Sequence, residues 1–265
     1  MDSDTSKVRI AVLIDADNTS SRYAEGLLEE LATYGTPTIK RAYGDFSSPQ
    51  LHGWTRELNA RAIRAMHQNA FTTGKNSTDS ALIIDAMDLL YAGNVEAFAI
   101  VSSDSDFTSL ALRLRESGKV VYGIGRRTTP QSLQNACDRF IQLEVLDMPA
   151  ATVANATPTT APAHDPGGPT INLQSVLTRA VNATADDDGW SRLSRLGDHL
   201  IRSRASFDPR AFGHAKLTSL VHAQPYLETT GEANALRIRV KGAGTKTPAK
   251  ATARARTTAR RATAG

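Results

Sequence analysis

The chain has 265 residues, of which 40% are hydrophobic and 6% aromatic, so it can form one or two domains with aliphatic cores. No stretch approaches the roughly 20 apolar residues that a membrane span requires, and the polar N-terminus lacks the regions of a secretory signal. The single cysteine, Cys137, excludes an internal disulfide and a multi-cysteine zinc site. We therefore expect a cytoplasmic protein that does not associate with membranes.

The net charge of +4 is unevenly distributed along the chain. Residues 241–265 include seven Lys and Arg residues and no acid, so the rest of the chain carries a net negative charge. A basic tail attracts polyanions without sequence preference, but the same composition is typical of a solvated tail that keeps a protein soluble. Both interpretations remain open for 242–265, which we expect to be a disordered basic tail.

Strands and helices alternate in the predicted structure of residues 1–148. The run VRIAVLI at 8–14 is typical of a buried parallel strand. Further strands are predicted at 37–43, 62–67, 95–101, 119–125 and 140–143, and helices after Ser20 or Ser21, at 54–60, at 77–90, at 106–117 and from Pro130. This alternation predicts an α/β fold, a parallel sheet flanked by helices, in which ligands bind beyond the carboxyl ends of the strands.

A second, smaller domain is predicted at 170–241. Residues 149–169 are rich in Pro, Ala, Thr and Gly, and we expect them to form a flexible linker. Beyond them, amphipathic segments at 171–181, 190–201 and 209–221 precede two short alternating strands. Three helices and a hairpin predict a winged-helix-like α+β domain.

Three separate segments bring aspartates to one edge of the predicted sheet. LIDADN follows the first strand, IVSSDSDF follows the strand at 95–101, and KNSTDSALIID begins the helix at 77–90. The aspartates are Asp15, Asp17, Asp79, Asp85, Asp104 and Asp106. A spacing of six residues places Asp79 and Asp85 on different helix faces, so Asp85 is either a site residue or a supporting partner.

Clustered carboxylates repel one another, and a bound divalent cation relieves that repulsion. Carboxylates without Cys or His suit Mg²⁺ or Mn²⁺, which activate a bound water and stabilise displacement at phosphorus. A single aspartate at such a position is more often a helix cap, as Asp106 or Asp79 would be. The meeting of three segments favours a metal site. We predict Asp15, Asp79, Asp104 and Asp106 as its ligands, with Asp17 and Asp85 as further candidates.

Other polar residues near these acids are candidates for contacts with a phosphate. Asn18 is placed to bond a ligand carboxylate or the scissile phosphate. Lys75, Ser102 and Ser103 lie close in sequence to the acids, and Arg41, Arg56, Arg126 or Arg127 would steer a polyanion. We therefore predict RNA contacts at Lys75, Ser102, Ser103, Arg126 and Arg127.

The segments DADN, KNSTDSALIIDAMDLLY and VSSDSDFTSLALRLRESGKVVYGIG together resemble the NYN domain of the PIN-like nuclease superfamily, in its bacterial LabA-like branch. TTPQSLQNACDRFIQLE resembles the end of that domain, and the likeness covers about residues 7–146. The resemblance implies a PIN-like fold and a Mg²⁺- or Mn²⁺-dependent ribonuclease. It assigns the acids of the site to Asp15, Asp79, Asp104 and Asp106 and the companion amide to Asn18, whereas Asp17 is an additional acid.

Residues 170–241 resemble an OST-HTH or LOTUS domain, through INLQSVLTRAV, GWSRLSRLGDHLIRS, FDPRAFGHAKLTSLVHAQPYLE and LRIRV. This resemblance implies RNA binding, or protein binding as in some relatives, and a homodimer also remains open. Candidate phosphate contacts in this domain are Arg192, Arg195, Arg202, Arg204, Arg210, Lys216, Arg237 and Arg239. Most of these side chains, taken singly, are better explained as solvated charges, and Trp190 is expected in the core.

Two alternatives to a ribonuclease remain. DADNT fits the DxDx[T/V] pattern of haloacid-dehalogenase-like phosphatases, in which Asp15 would be a covalent nucleophile. The later motif SSDSD and the missing lysine ahead of it argue against that class. The other alternative is a catalytically inactive RNA-binding or assembly protein, because a fold does not determine activity.

Overall fold

The computed structural model describes residues 8–67, 77–147, 172–231 and 235–242. The predicted linker at 149–169, the tail from residue 243 and Lys75 lie outside the described residues.

The first domain is built on a parallel sheet of six strands. Its strands are β1 (Arg9–Asp15), β2 (Thr36–Gly44), β3 (Arg64–His67), β4 (Ala97–Val101), β5 (Val120–Gly125) and β6 (Arg139–Gln142). Their order across the sheet is β3-β2-β1-β4-β5-β6, with every neighbouring pair parallel. The predicted α/β fold is confirmed, and β1 and β4 lie at its centre.

Within the described residues, six helices cover the two faces of this sheet. They are α1 (Ala24–Ala32), α2 (His52–Ala60), α3 (Ser77–Ala92), α4 (Thr108–Glu116), α5 (Gln131–Ala136) and α6 (Leu143–Leu146). Helices α1 and α2 pack on one face together with Ile10 and Val12, and α3, α4 and α5 pack on the other with Ala11 and Leu13. Successive side chains of a strand point to opposite faces, so β1 must be apolar along its whole length.

The start of α4 differs from the prediction. A short 3-10 turn at Ser105–Phe107 precedes the helix, which begins at Thr108. Asp104 occupies the N-cap of that turn, and its carboxylate accepts a hydrogen bond from the Asp106 amide at 2.9 Å. The interpretation of Asp106 as the cap was therefore wrong, because the extra turn moves the capping position two residues towards the N-terminus.

The described part of the second domain combines three helices with a small antiparallel sheet. Its elements are α7 (Leu173–Thr184), β7 (Ser191–Arg192), α8 (Leu193–Ser203), α9 (Leu217–His222), β8 (Leu227–Thr230) and β9 (Arg237–Val240). The strand order is β7-β9-β8, and the core includes Leu177, Leu196, Leu220 and Ile238.

Two predicted helices of this domain are shorter than expected. Residues 191–192 form β7, which pairs with β9 before α8 begins. The helical segment predicted at 209–221 is interrupted, because Gly213 has a φ of 79° in the left-handed region, which ends a helix. Among the described helices, none has the length and apolar character needed to cross a bilayer.

Candidate active site

The site lies where the two central strands end. Strand β1 ends at Asp15, and β4 ends at Val101, directly before Ser102. The pairing of Ile14 with Val101 brings Asp15 and Ser102 side by side. Both are almost completely buried, with exposed fractions of 0% and 1%. The sheet thus places a buried carboxylate at its carboxyl edge, where α/β proteins bind their ligands.

Hydrogen bonds from two residues hold the Asp15 carboxylate. The Asn18 amide nitrogen and Nδ2 donate to it at 3.2 and 2.8 Å, and Ser102 Oγ donates to Oδ2 at 2.8 Å. Burial raises the pKa of Asp15, and the hydrogen bonds from Asn18 and Ser102 oppose that rise. The donors therefore fix the orientation of the carboxylate and favour its charged form.

Ser102 also connects Asp15 to the second acidic segment. The Asp104 amide donates to Ser102 Oγ at 3.1 Å, and the half-buried Asp104 side chain is held in turn by the Asp106 amide. One hydroxyl thus links the end of β1 to the turn after β4. Since Ser102 is buried, its hydroxyl contacts a carboxylate and not solvent.

The pKa of Asp79 reflects the negative charges of the neighbouring aspartates. It lies in the first turn of α3, and its pKa is raised to about 6. Partial burial is the largest cause, followed by the negative charges of Asp15, Asp104, Asp106 and Asp17. The structure thus brings these five predicted acids into one electrostatic cluster from three distant segments.

The acidic cluster is not arranged as a finished ligand shell. Within the described ranges, no group of three or more His, Cys, Asp or Glu side chains is placed to hold a metal ion. The donor set, carboxylates that repel one another and raise the pKa of Asp79, nevertheless fits a hard divalent cation. Binding would require the exposed or half-buried carboxylates of Asp79, Asp104 and Asp106 to turn towards the fixed Asp15.

Asp17 is exposed and lies against the end of β2. A Cβ built on Gly44 would lie 3.0 Å from Asp17 Oδ1 and 2.7 Å from a methyl carbon of Leu51. The missing side chain of Gly44 thus leaves room for the Asp17 carboxylate beside the cluster.

Asp85 is held by partners outside the cluster. Its carboxylate accepts hydrogen bonds from Arg41 Nη1 and the Tyr43 hydroxyl, and the Arg41 and Asp85 side chains are only 20% and 15% exposed. Burial, and then Asp85, raise the pKa of Tyr43. Both Asp85 oxygens are thus engaged with β2 residues, which favours the supporting role over that of a ligand.

The predicted phosphate contacts after β5 lie beside the acidic cluster. Ser103 Oγ accepts a hydrogen bond from the Arg126 amide at 2.8 Å. The Arg127 amide donates to both carboxylate oxygens of Glu144 at 3.0 Å. These backbone bonds hold the loop, while Arg126 and Arg127 themselves remain exposed. Lys75 lies outside the described residues.

Two polar residues at neighbouring strand ends were not predicted. Asp45 follows β2, and His67 ends β3, paired with Gly44. Hydrogen bonds from Ser47 lower the pKa of Asp45, and His67 adds a smaller electrostatic contribution. The ends of the predicted strands at 37–43 and 62–67 would have identified this pair.

Four of the eight candidate phosphate contacts in the second domain, Arg195, Arg210, Arg237 and Arg239, have acidic partners. Arg195 pairs with Asp186 at 2.6 Å, and Arg237 pairs with Asp188 at 2.6 Å. Arg239 pairs with Glu228 at 2.6 Å and stacks over the half-buried Trp190 ring. Exposed candidates without such a pair in the described part of the chain are Arg192, Arg202 and Lys216.

Comparison with known proteins identifies both domains. Residues 9–144 match the NYN domain, and residues 169–236 match the OST-HTH/LOTUS domain. An uncharacterized protein of Methanocaldococcus jannaschii, MJ0482, is 27% identical over 143 residues, which cover 51% of this chain. The chain spans 55% of the length of that relative.

Two solved structures resemble parts of the chain. A protein of unknown function from Vibrio parahaemolyticus is 23% identical, with a TM-score of 0.46, over 54% of this chain and 96% of its own. An uncharacterized protein from Nitrosomonas europaea is 26% identical, with a TM-score of 0.25, over 33% of this chain and 92% of its own.

Proposed function

Because the chain belongs to the NYN domain family and carries an OST-HTH/LOTUS domain after it, we propose that it is a metal-dependent ribonuclease with an RNA-binding domain. The observation that carries the proposal is the acidic cluster of Asp15, Asp17, Asp79, Asp104 and Asp106 at the carboxyl edge of the sheet. The family assignment gives no support to the phosphatase alternative.

The proposed metal ligands differ in how firmly they are held. Asp15 is fixed by Asn18 and Ser102 and would serve as the anchor for Mg²⁺ or Mn²⁺. Asp79, Asp104 and Asp106 would complete the site, and Asp17 would supply further negative charge. When bound, such a cation activates water and stabilises the negative charge that develops at phosphorus.

The remaining site residues would place the RNA backbone. The exposed Arg126 and Arg127 follow β5, the strand next to β4, and would bind phosphates on that side of the cluster. Ser103 holds the Arg126 amide and so shapes this loop. In the second domain, Arg192, Arg202 and Lys216 are the exposed cations proposed to contact RNA.

A nuclease assay with matched variants tests this function. The full chain is incubated with RNA and Mg²⁺, Mn²⁺ or EDTA, and Asp15→Asn and Asp104→Asn are compared with Asp88→Asn. Asp88 is exposed on α3 and belongs to no part of the cluster. We expect metal-dependent cleavage that falls at least 100-fold in the two site variants and persists in Asp88→Asn.

The second candidate is an RNA-binding protein without turnover. It is favoured by one observation: the described carboxylates form no ready ligand shell. RNA binding that persists in the complete absence of cleavage, with every metal tested and with Asp15→Asn behaving like the wild type, would establish this alternative and exclude the nuclease.

A further inference from the structure

The two domains contact each other through a buried cluster of charges. Arg210, in the second domain, donates through Nη1 and Nη2 to the Glu30 carboxylate of α1 at 2.8 and 2.9 Å. The same guanidinium donates to Asp208 at 2.8 Å. The side chains of Glu30 and Asp208 are only 11% and 7% exposed. One arginine thus bridges two shielded carboxylates, one from each domain.

The first domain also supplies a hydrogen-bond donor to Glu30. The Tyr34 hydroxyl donates to Glu30 at 2.6 Å, and the Arg139 guanidinium lies 4.9 Å from the centre of the Tyr34 ring. Burial alone would raise the pKa of Glu30, but hydrogen bonds from Arg210 and Tyr34 outweigh it and lower the pKa. Without Arg210, the shielded carboxylate would lose its bidentate partner.

A second contact joins the domains at the edge of the large sheet. The Phe140 amide, on the outermost strand β6, donates to the Ala205 carbonyl at 2.8 Å. Ala205 also packs against the apolar cluster that contains Phe140. Beside this contact, a cleft of about 560 Å³ separates residues such as Arg115 and Asp138 from Arg202 and Ser203. Ala205 is the only described residue of the second domain that packs with the apolar clusters of the first domain, so the apolar part of the contact is small.

We propose that the OST-HTH/LOTUS domain is docked in a fixed position on α1 and β6 of the NYN domain. The Glu30–Arg210 pair is the contact that holds it there. A small apolar contact beside an open cleft leaves the charged cluster as the dominant attraction. Arg210 therefore belongs to the domain interface and is not one of the residues that contact RNA. This inference does not depend on nuclease activity.

Amide hydrogen exchange in the full chain tests the docking. The Phe140 amide is the reporter, because its acceptor, Ala205, belongs to the other domain. We expect Glu30→Ala and Arg210→Ala each to accelerate Phe140 exchange at least tenfold. The double variant should exchange no faster than the faster single variant, because both changes remove one interaction. Small-angle scattering should show a larger radius of gyration in all three.

Arg195→Ala is the matched control, because Arg195 pairs with Asp186 inside the second domain. It should leave both measurements at their wild-type values. Should Arg210→Ala unfold the second domain, Glu30→Ala still decides, since Glu30 lies in the other domain. Phe140 exchange within twofold of the wild type in Glu30→Ala, or additive effects in the double variant, would overturn the proposal.

Discussion

Ser102 shows how one buried hydroxyl can control an acidic site. It donates to Asp15 and accepts from the Asp104 amide. Ser102→Ala removes one of the hydrogen-bond donors that stabilise the charged form of the buried Asp15 carboxylate, so the pKa of Asp15 rises further. A hydrogen bond to a charged group contributes about 1.5–3 kcal/mol, so we expect Mn²⁺ affinity to fall at least tenfold, as measured by calorimetric titration.

The pH dependence separates this positioning role from general damage to the fold. Protons and metal compete for Asp15, so the reduction in affinity in Ser102→Ala should be larger at pH 6 than at pH 8. Ser103→Ala is the control, because Ser103 binds the Arg126 amide and not Asp15. Equal reductions in the two variants, or a reduction independent of pH, would contradict the assignment.

Asp79 makes the metal-free protein sensitive to pH. Its pKa is about 6 in the folded protein and 3.8 in its ordinary state, so the folded state binds more protons between these values. Ionised Asp79 therefore lowers stability as pH rises through this window, and the destabilisation persists above pH 6. In EDTA, Asp79→Asn should raise the melting temperature at pH 7.5 and have little effect near pH 4. A shift that is equal at both pH values in calorimetry would refute this.

The proximity of the aspartates in the acidic cluster could be predicted from sequence, because they follow predicted strands or begin a predicted helix. Parallel topology then places Asp15 and Asp104 at the same edge. Their hydrogen-bond partners could not be predicted in this way. Ser102 and Asp15 are 87 residues apart, and Arg41 and Asp85 are 44 apart. Only the register of β1 with β4 brings the first pair together, and only the packing of α3 against β2 brings the second pair together.

At the scale of the elements, Asp85 connects α3 to β2. Its ion pair with Arg41 and its hydrogen bond from Tyr43 are largely shielded from solvent. Asp85→Ala leaves the Arg41 guanidinium without this partner, and removing one member of a buried pair costs about 3 kcal/mol. We expect a decrease of that size in the free energy of unfolding in urea, with metal affinity close to that of the wild type.

The contrast with Asp79 makes this prediction specific, because both residues belong to α3. Asp79→Asn should weaken metal binding while stabilising the metal-free protein, whereas Asp85→Ala should destabilise the metal-free protein and leave the metal affinity close to that of the wild type. A tenfold decrease of Mn²⁺ affinity in Asp85→Ala, with unchanged stability, would make Asp85 a metal ligand instead of a supporting residue.

The elements of the large sheet followed from apolar runs and helical spacing, since β1 and β4 are buried on both faces. Two exceptions lie in the second domain, where a backbone conformation or a strand pairing overrides the helical pattern. Gly213 interrupts a helical run because its φ of 79° cannot continue a helix. Residues 191–192 join β9 instead of α8, because pairing with a distant strand outweighs local helical preference.

At the scale of the whole molecule, the separation of two domains was visible in composition, but the interface between them was not. Glu30 and Arg210 are 180 residues apart, and each alone reads as an ordinary surface charge. The ion pair between them forms only where α1 packs against the second domain. No periodicity in the sequence predicts that packing.

The distribution of charge over the whole molecule leads to a final prediction. Residues 243–265 carry Lys246, Lys250, Arg254, Arg256, Arg260 and Arg261. If these side chains neutralise RNA phosphates, a chain ending at Gly242 should bind single-stranded RNA more weakly at low salt. The slope of log affinity against log salt should fall by about 0.7 for each phosphate that is no longer neutralised.

A full-length chain with Gln at all six positions should match the truncation, because the effect depends on charge and not on length. Cleavage at saturating RNA should be unchanged, since the acidic cluster lies at the strand ends of the other domain. An unaltered salt slope in fluorescence anisotropy would show that the tail only solvates the protein.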